Sequence, residues 1–178
     1  MPNRNFTAEV ARLLEKHGIE EPPVDLERIA HDLGVRIEYP RLGDSLSGFL
    51  AITDGERLIG VNARHHKNRQ RFTLAHELAH LVLGHETGEV HVDKGIVLFR
   101  DTDSSSHGTE IEMEANRFAA ELLVPKSMLK HDITRRDAFD TITDDDLEYL
   151  AQRYAISMAA LLNRLSDVGF ATMTARRR

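Results

Sequence analysis

The stretch from about Asn68 to His85 constrains this chain more than any other. Phe72, Ala75, Leu78, Ala79 and Val82 recur there at helical spacing, on a segment that also carries His76, Glu77 and His80. A helix this apolar is expected to be enclosed by the rest of the fold. Burying an imidazole or a carboxylate there without a partner costs about 1–3 kcal/mol each, so something must compensate all three. His76 and His80 are ~40° apart around a helix axis and one turn apart along it, which lets both rings reach one cation. Glu77 stands beside them, able to accept a proton from water without itself ligating the ion. His76-Glu77-Leu78-Ala79-His80 is thus H-E-x-x-H in a setting that calls for a metal. Zinc is the expected cofactor, since nitrogen and oxygen ligands with one open position make a catalytic site.

Composition narrows the alternatives. The 178 residues include ten His and no Cys, which excludes a disulfide scaffold, a thiol nucleophile and any cysteine-ligated metal. With 41% hydrophobic and 29% charged residues the chain reads as a soluble globular protein large enough to bury a core without staples. Neither a secretory leader after Met1 nor an apolar run long enough to span a bilayer is present in the sequence, so no membrane partner is expected and a cytoplasmic location is. A net charge of −6 argues against general electrostatic affinity for nucleic acid. The basic residues from Arg64 to Arg71 and Arg176-Arg177-Arg178 read as solvated surface and a frayed tail.

Helical spacing is expected over Phe6 to His17, closed by Gly18, and again from Leu26 to Leu33, with Asp25 as cap and Gly34 as stop. Pro22-Pro23 links the two. Val35 to Tyr39 alternates as a half-buried strand, and Ser47 to Ile52 and Arg57 to Asn62 form a hairpin around Asp54-Gly55. His91 to Phe99 reads as a further short strand and Asp101 to Thr109 as a polar loop. A second strongly apolar helix runs from Glu110 to Leu123 and stops before Pro125. Thr143 or Asp144 can cap a third, and Ser157 a fourth. The fold class is therefore α+β, a small sheet with a hairpin packed by five or six helices.

Two histidines leave a third ligand to find. The pattern H-E-x-x-H-x-x-G-x-x-H would need Gly at 83 and His at 86, whereas the chain has Leu83 and Glu86. His85 falls about 180° around the helix from His76 and suits the negative end of the helix dipole instead. On the second apolar helix Glu112 and Asn116 share a face, so Glu112 can reach the metal while Asn116 supports it or a histidine. Glu114 is rotated ~200° from Glu112 and is expected to point elsewhere, although a slip of the helix boundary would exchange the two.

Arg71-Phe72-Thr73-Leu74-Ala75 leading into His76-Glu77-Leu78-Ala79-His80, followed by the run from Glu112 to Pro125, resembles the ImmA/IrrE family of zinc metallopeptidases. The similarity extends roughly from Phe6 to Leu165 and takes in Pro22-Pro23, the Ile29-Ala30 helix and the Asp54-Gly55 hairpin. It implies a zincin-like fold in which His76, His80 and Glu112 hold Zn²⁺ and Glu77 is the catalytic base. It also implies limited cleavage of a partner protein, a helix-turn-helix transcriptional repressor, in mobile elements or stress responses. Asn116 takes a place that Asp takes in some zinc peptidases of this kind, so a neutral amide would support the site and zinc would be held less tightly.

Peptide hydrolysis also calls for a donor to the developing oxyanion, for which His91, His107, His131, Tyr149 and Tyr154 are candidates of equal standing. Residues 143–168 resemble a helix-turn-helix packed on a peptidase domain of residues 1–142, with 169–178 as a flexible tail. Only Asn163 and Arg164 on its second helix suit DNA, and Asp144, Asp145, Asp146 and Glu148 would repel phosphate, so direct nucleic-acid binding is not expected. The alternative reading is a non-catalytic regulatory protein of the same fold that binds a repressor or DNA.

Overall fold

The computed structural model describes residues 4–85, 90–93, 106–134 and 142–170, with the side chains of 90–93 and 106–109 left out. Along the chain run α1 (Phe6–Lys16), α2 (Leu26–Asp32), β1 (Val35–Glu38), β2 (Gly48–Thr53), β3 (Glu56–Val61), α3 (Lys67–Leu83), β4 (Val90–Asp93), α4 (Ser106–Leu123), α5 (Lys126–Thr134), α6 (Asp144–Arg153) and α7 (Met158–Asp167). The chain divides into two compact units, Asp25–Ala119 on the one hand and Met1–Val24 with Ala120–Arg178 on the other.

In the unit Asp25–Ala119 the strands form one mixed sheet of order β1-β3-β2-β4. β1 runs parallel to β3, while β2 is antiparallel to both β3 and β4. The hairpin turn places Asp54 at φ 52° and Gly55 at φ 83°, the left-handed pair that an Asp-Gly turn supplies and that matches strand twist. Asp25 caps α2 by accepting from the Arg28 N–H at 2.9 Å. Asn62, fully enclosed, takes two backbone N–H groups and gives its own amide to the carbonyls of Gly43 and Leu46, which holds the loop leading into β2. Gln70, on the first turns of α3, donates to the carbonyls of Asn62, Ala63 and His65 and anchors that helix to the end of β3.

α3 packs across β2 and β3, and every residue from Thr73 to His80 is buried. The approach to β2 is close: a Cβ on Gly48 would lie 2.5 Å from Thr73 Cγ2 and 2.7 Å from the Gly60 carbonyl oxygen. Gly84, at φ 69°, ends the helix, and the His85 N–H closes back on the His80 carbonyl at 2.9 Å.

In the unit formed by Met1–Val24 and Ala120–Arg178, α1 is capped by Asn5 and buries Val10 and Leu14. Glu121 near the end of α4 meets Arg164 of α7, both buried, and accepts from the Lys126 N–H at 3.0 Å, while Arg164 Nε also donates to the Val124 carbonyl at 3.0 Å. Asp132 of α5 accepts from Arg153 Nε at 2.8 Å and from the Tyr154 hydroxyl at 2.9 Å. Burial, followed by that hydrogen bond, pushes the Tyr154 phenol well above the usual tyrosine range. Thr143 and Asp146 form a reciprocal capping box at the start of α6, and Ser157 caps α7.

Two expectations change. α4 begins at Ser106, several residues inside the stretch read as a loop, because an amphipathic helix with a strong apolar face extends into weak helix formers once nucleated. α5 falls where no element was expected: it shows only Leu129 and Ile133 as buried positions, too few for a periodic signal. The rest of the strand read as His91 to Phe99, beyond Asp93, lies outside the described residues, as do Asp101 to Ser105 and the tail from 171 onward.

Candidate metal centre

α3 brings His76 and His80 to one side at one turn's separation, with their Nε2 atoms 3.0 Å apart and their rings edge to face at 72°. α4 supplies Glu112, whose carboxylate oxygens lie 3.2 Å from His76 Nε2 and 3.4 Å from His80 Nε2. The histidine side chains are 2% and 1% exposed and Glu112 is 41% exposed, so the group is open on the Glu112 side alone of the three. All three ligand atoms lie within 4.8 Å of one another, as a group that could hold a metal ion must.

The donor set fits such an ion. Ligand atoms at about 2.0–2.2 Å from a tetrahedral metal stand about 3.3–3.6 Å from one another, close to the spacings found here. Asn116, one turn beyond Glu112, meets His76 Nδ1 at 3.1 Å through its Oδ1. An amide oxygen only accepts, so Nδ1 carries the proton and Nε2 keeps its lone pair for a cation. Phe72 lies stacked near the His76 ring, with centroids 6.4 Å and planes 23° apart.

Glu77 is fully enclosed, and its Oε1 would lie 3.5 Å from a Cβ on Gly48, so its carboxylate sits against the first residue of β2. Only a glycine leaves room there beside Thr73 and the Gly60 carbonyl. Glu114 does not join the group: its carboxylate meets His85 Nε2 at 3.1 Å. Nor does His85 point away from the pair, as helix continuation would have it. The left-handed turn at Gly84 brings its ring edge-on to His80 at 5.4 Å. That redirection was legible in principle, because Gly after the last apolar position signals the turn.

The oxyanion candidates separate by place. Tyr154 is enclosed with its hydroxyl committed to Asp132, His131 on α5 and Tyr149 on α6 are exposed, and the side chains of His91 and His107 lie outside the described residues. No helix of the described residues is long and apolar enough to cross a membrane.

Comparison with known proteins agrees with this architecture. No curated protein matches the sequence significantly. Among solved structures, a Mycobacterium tuberculosis transcriptional regulator superposes with a TM-score of 0.61 at 16% identity, over 97% of this chain and 48% of that one. The chain thus spans about half the length of that regulator, and the likeness is one of fold. A family model described as Peptidase_M78, IrrE N-terminal-like domain, matches residues 30–166, a span that contains all three residues of the metal group, and the chain belongs to that family.

Proposed function

We propose that this protein is a zinc-dependent endopeptidase that makes a limited cut in a partner protein, a helix-turn-helix transcriptional repressor. The observation that carries the reading is the two-nitrogen, one-carboxylate triangle of His76, His80 and Glu112, next in sequence to a buried carboxylate that takes no place in it. A purely structural site needs no such neighbour.

His76, His80 and Glu112 would hold the ion, which supplies Lewis acidity when bound, acidifying water and polarising a carbonyl. Glu77 takes the proton from the attacking water and delivers it to the leaving amine. Asn116 fixes the tautomer and plane of His76 through Nδ1, and as a neutral amide it lends less basicity than a carboxylate would. The enclosure of Glu77 keeps bulk water from competing for its proton. The neighbour that shares the fold is named as a transcriptional regulator, which supports a setting in transcriptional control; the cytoplasm, and a stress response or a mobile element, are the further parts of the reading and rest on the sequence and the family resemblance. Direct contact with nucleic acid is not part of the reading.

Elemental analysis of the chelator-free protein tests it first. About one zinc per chain is expected in the wild type, with loss in His76→Ala and in Glu112→Ala. Glu77→Gln keeps the zinc and abolishes cleavage of a purified repressor; full cleavage by that variant would remove Glu77 from the role of base.

A further inference from the structure

The metal group leaves a second histidine–carboxylate pair unused, His85 with Glu114. We propose that this pair is a clamp that sets the roll of α4 and so aims Glu112 at His76 and His80, which makes both of them positioning residues for the metal centre. The inference rests on the metal-centre reading above.

The geometry carries it in three steps. First, Gly84 at φ 69° and the 2.9 Å bond from the His85 N–H to the His80 carbonyl turn the chain back, so that His85 flanks His80 rather than leaving the helix. The His85 side chain is 7% exposed and is therefore itself held by packing. Second, Glu112 and Asn116 lie one turn apart, on the same flank of α4, and both contact α3 histidines. These two contacts hold one flank of a buried face that includes Ala115, Phe118 and Ala119. Glu114 is ~200° around the axis from Glu112, so its bond to His85 grips the other flank and opposes a roll of α4.

Third, the tolerance is small. A side chain ends about 5–6 Å from the helix axis, so a roll of ~15° moves a carboxylate by about 1.5 Å, whereas a binding constellation must be held within about 0.5 Å. Glu112 is the half-exposed member of the group, with the least packing of its own to hold it. Its aim therefore depends on how α4 is seated.

Zinc affinity of the full-length chain, measured by competition with a chromophoric chelator, tests the clamp. His85→Leu and Glu114→Ala are each expected to weaken zinc about tenfold, and the double variant no more than either alone, since one bond is lost in all three. His85→Gln and Glu114→Gln, which restore hydrogen-bonding groups at the same reach, are expected to return affinity to within about threefold of wild type. Cobalt-loaded His85→Leu at saturation should give the visible spectrum of the wild type, because the ligands are unchanged. Melting of the metal-free forms shows whether each variant is folded, and the glutamine variants carry the test if a truncation is not. Single variants that bind as tightly as wild type, or losses that multiply in the double variant, overturn the clamp. So does a Glu114→Ala that loses zinc as completely as Glu112→Ala, which would make Glu114 a ligand. A wild type that takes up no zinc overturns the metal-centre reading and the clamp with it, whereas unaffected variants beside a zinc-binding wild type overturn the clamp alone.

Discussion

At position 48 one added methyl group is enough to disturb the packing of α3 on the sheet. A Cβ there would stand 2.7 Å from the Gly60 carbonyl oxygen, which belongs to the neighbouring strand and cannot swing aside, and 2.5 Å from Thr73 Cγ2 on α3. Overpacking of this kind costs about 1–3 kcal/mol, so Gly48→Ala should lower the urea midpoint with an unchanged slope. Glu77 Oε1, the next atom met at 3.5 Å, stands at ordinary contact distance, so a loss of activity in a folded Gly48→Ala would come from the shift of α3 that the Thr73 and Gly60 contacts force. Equal stability in the two proteins would mean that α3 moves off the sheet more freely than its burial implies. The close approach at Gly48 was invisible in the sequence, where the residue read only as part of a strand, since the approach of a helix to a strand is set by tertiary packing. Gly55 and Gly84 were legible, because their requirement is a positive φ written locally into a turn and a helix end. The same local logic paired His76 with His80 and Glu112 with Asn116, since residues four apart share a helix face wherever that helix is docked, and the structure brings the two pairs together.

Elements are joined in the unit of Met1–Val24 and Ala120–Arg178 by polar contacts that the apolar pattern under-reads. Arg164 was read as a residue available to phosphates. The structure buries it against Glu121 of α4, with Val124 as second acceptor. A signal was present: Leu161, Arg164 and Leu165 fall on one helical face, and both leucines are core. Arg164→Met leaves the Glu121 carboxylate buried with only the Lys126 N–H, which costs about 3–5 kcal/mol. Chemical denaturation of Arg164→Met, Glu121→Leu and the double variant should therefore show strong coupling, the double variant being more stable than Arg164→Met alone. Additive losses would place the stabilising effect of Arg164 in its stem and the Val124 bond rather than in the ion pair. α5 eluded the pattern for a related reason. Its place is secured by Asp132, which takes bonds from Arg153 and Tyr154, as much as by Leu129 and Ile133.

For the whole molecule, metal removal and charge give the remaining tests. An ion that binds only the native state stabilises it by about 4 kcal/mol when free zinc is a thousand times its dissociation constant. In a chain of this size each kcal/mol moves the melting temperature by about 2–4 °C, so chelation of the zinc protein should lower it by roughly 10 °C, while His76→Ala should not respond to chelator. Nucleic-acid binding follows from the opposite reasoning. A turn at Ala155, φ 52°, joins the two capped helices α6 and α7, the pair whose sequence resembles a helix-turn-helix. Yet the exposed positions of α7 are Met158, Ala159, Leu162, Asn163, Ser166 and Asp167, which include no cation, and its one arginine is buried. Arg153 of α6 is engaged by Asp132, and the first turn of that helix holds three Asp residues. Phosphate neutralisation supplies most of the affinity of DNA-binding proteins and weakens steeply with salt, so a chain of net charge −6 with this helix face has little to offer a duplex. A gel-shift titration should accordingly show no retardation of duplex DNA at physiological salt up to protein concentrations of about 10 µM, within the range of about 1–100 µM where non-specific binding usually sets in. Retardation that persists at that salt and depends on sequence would require base contacts from α7, and substitution of Asn163 and Met158 would then have to abolish it.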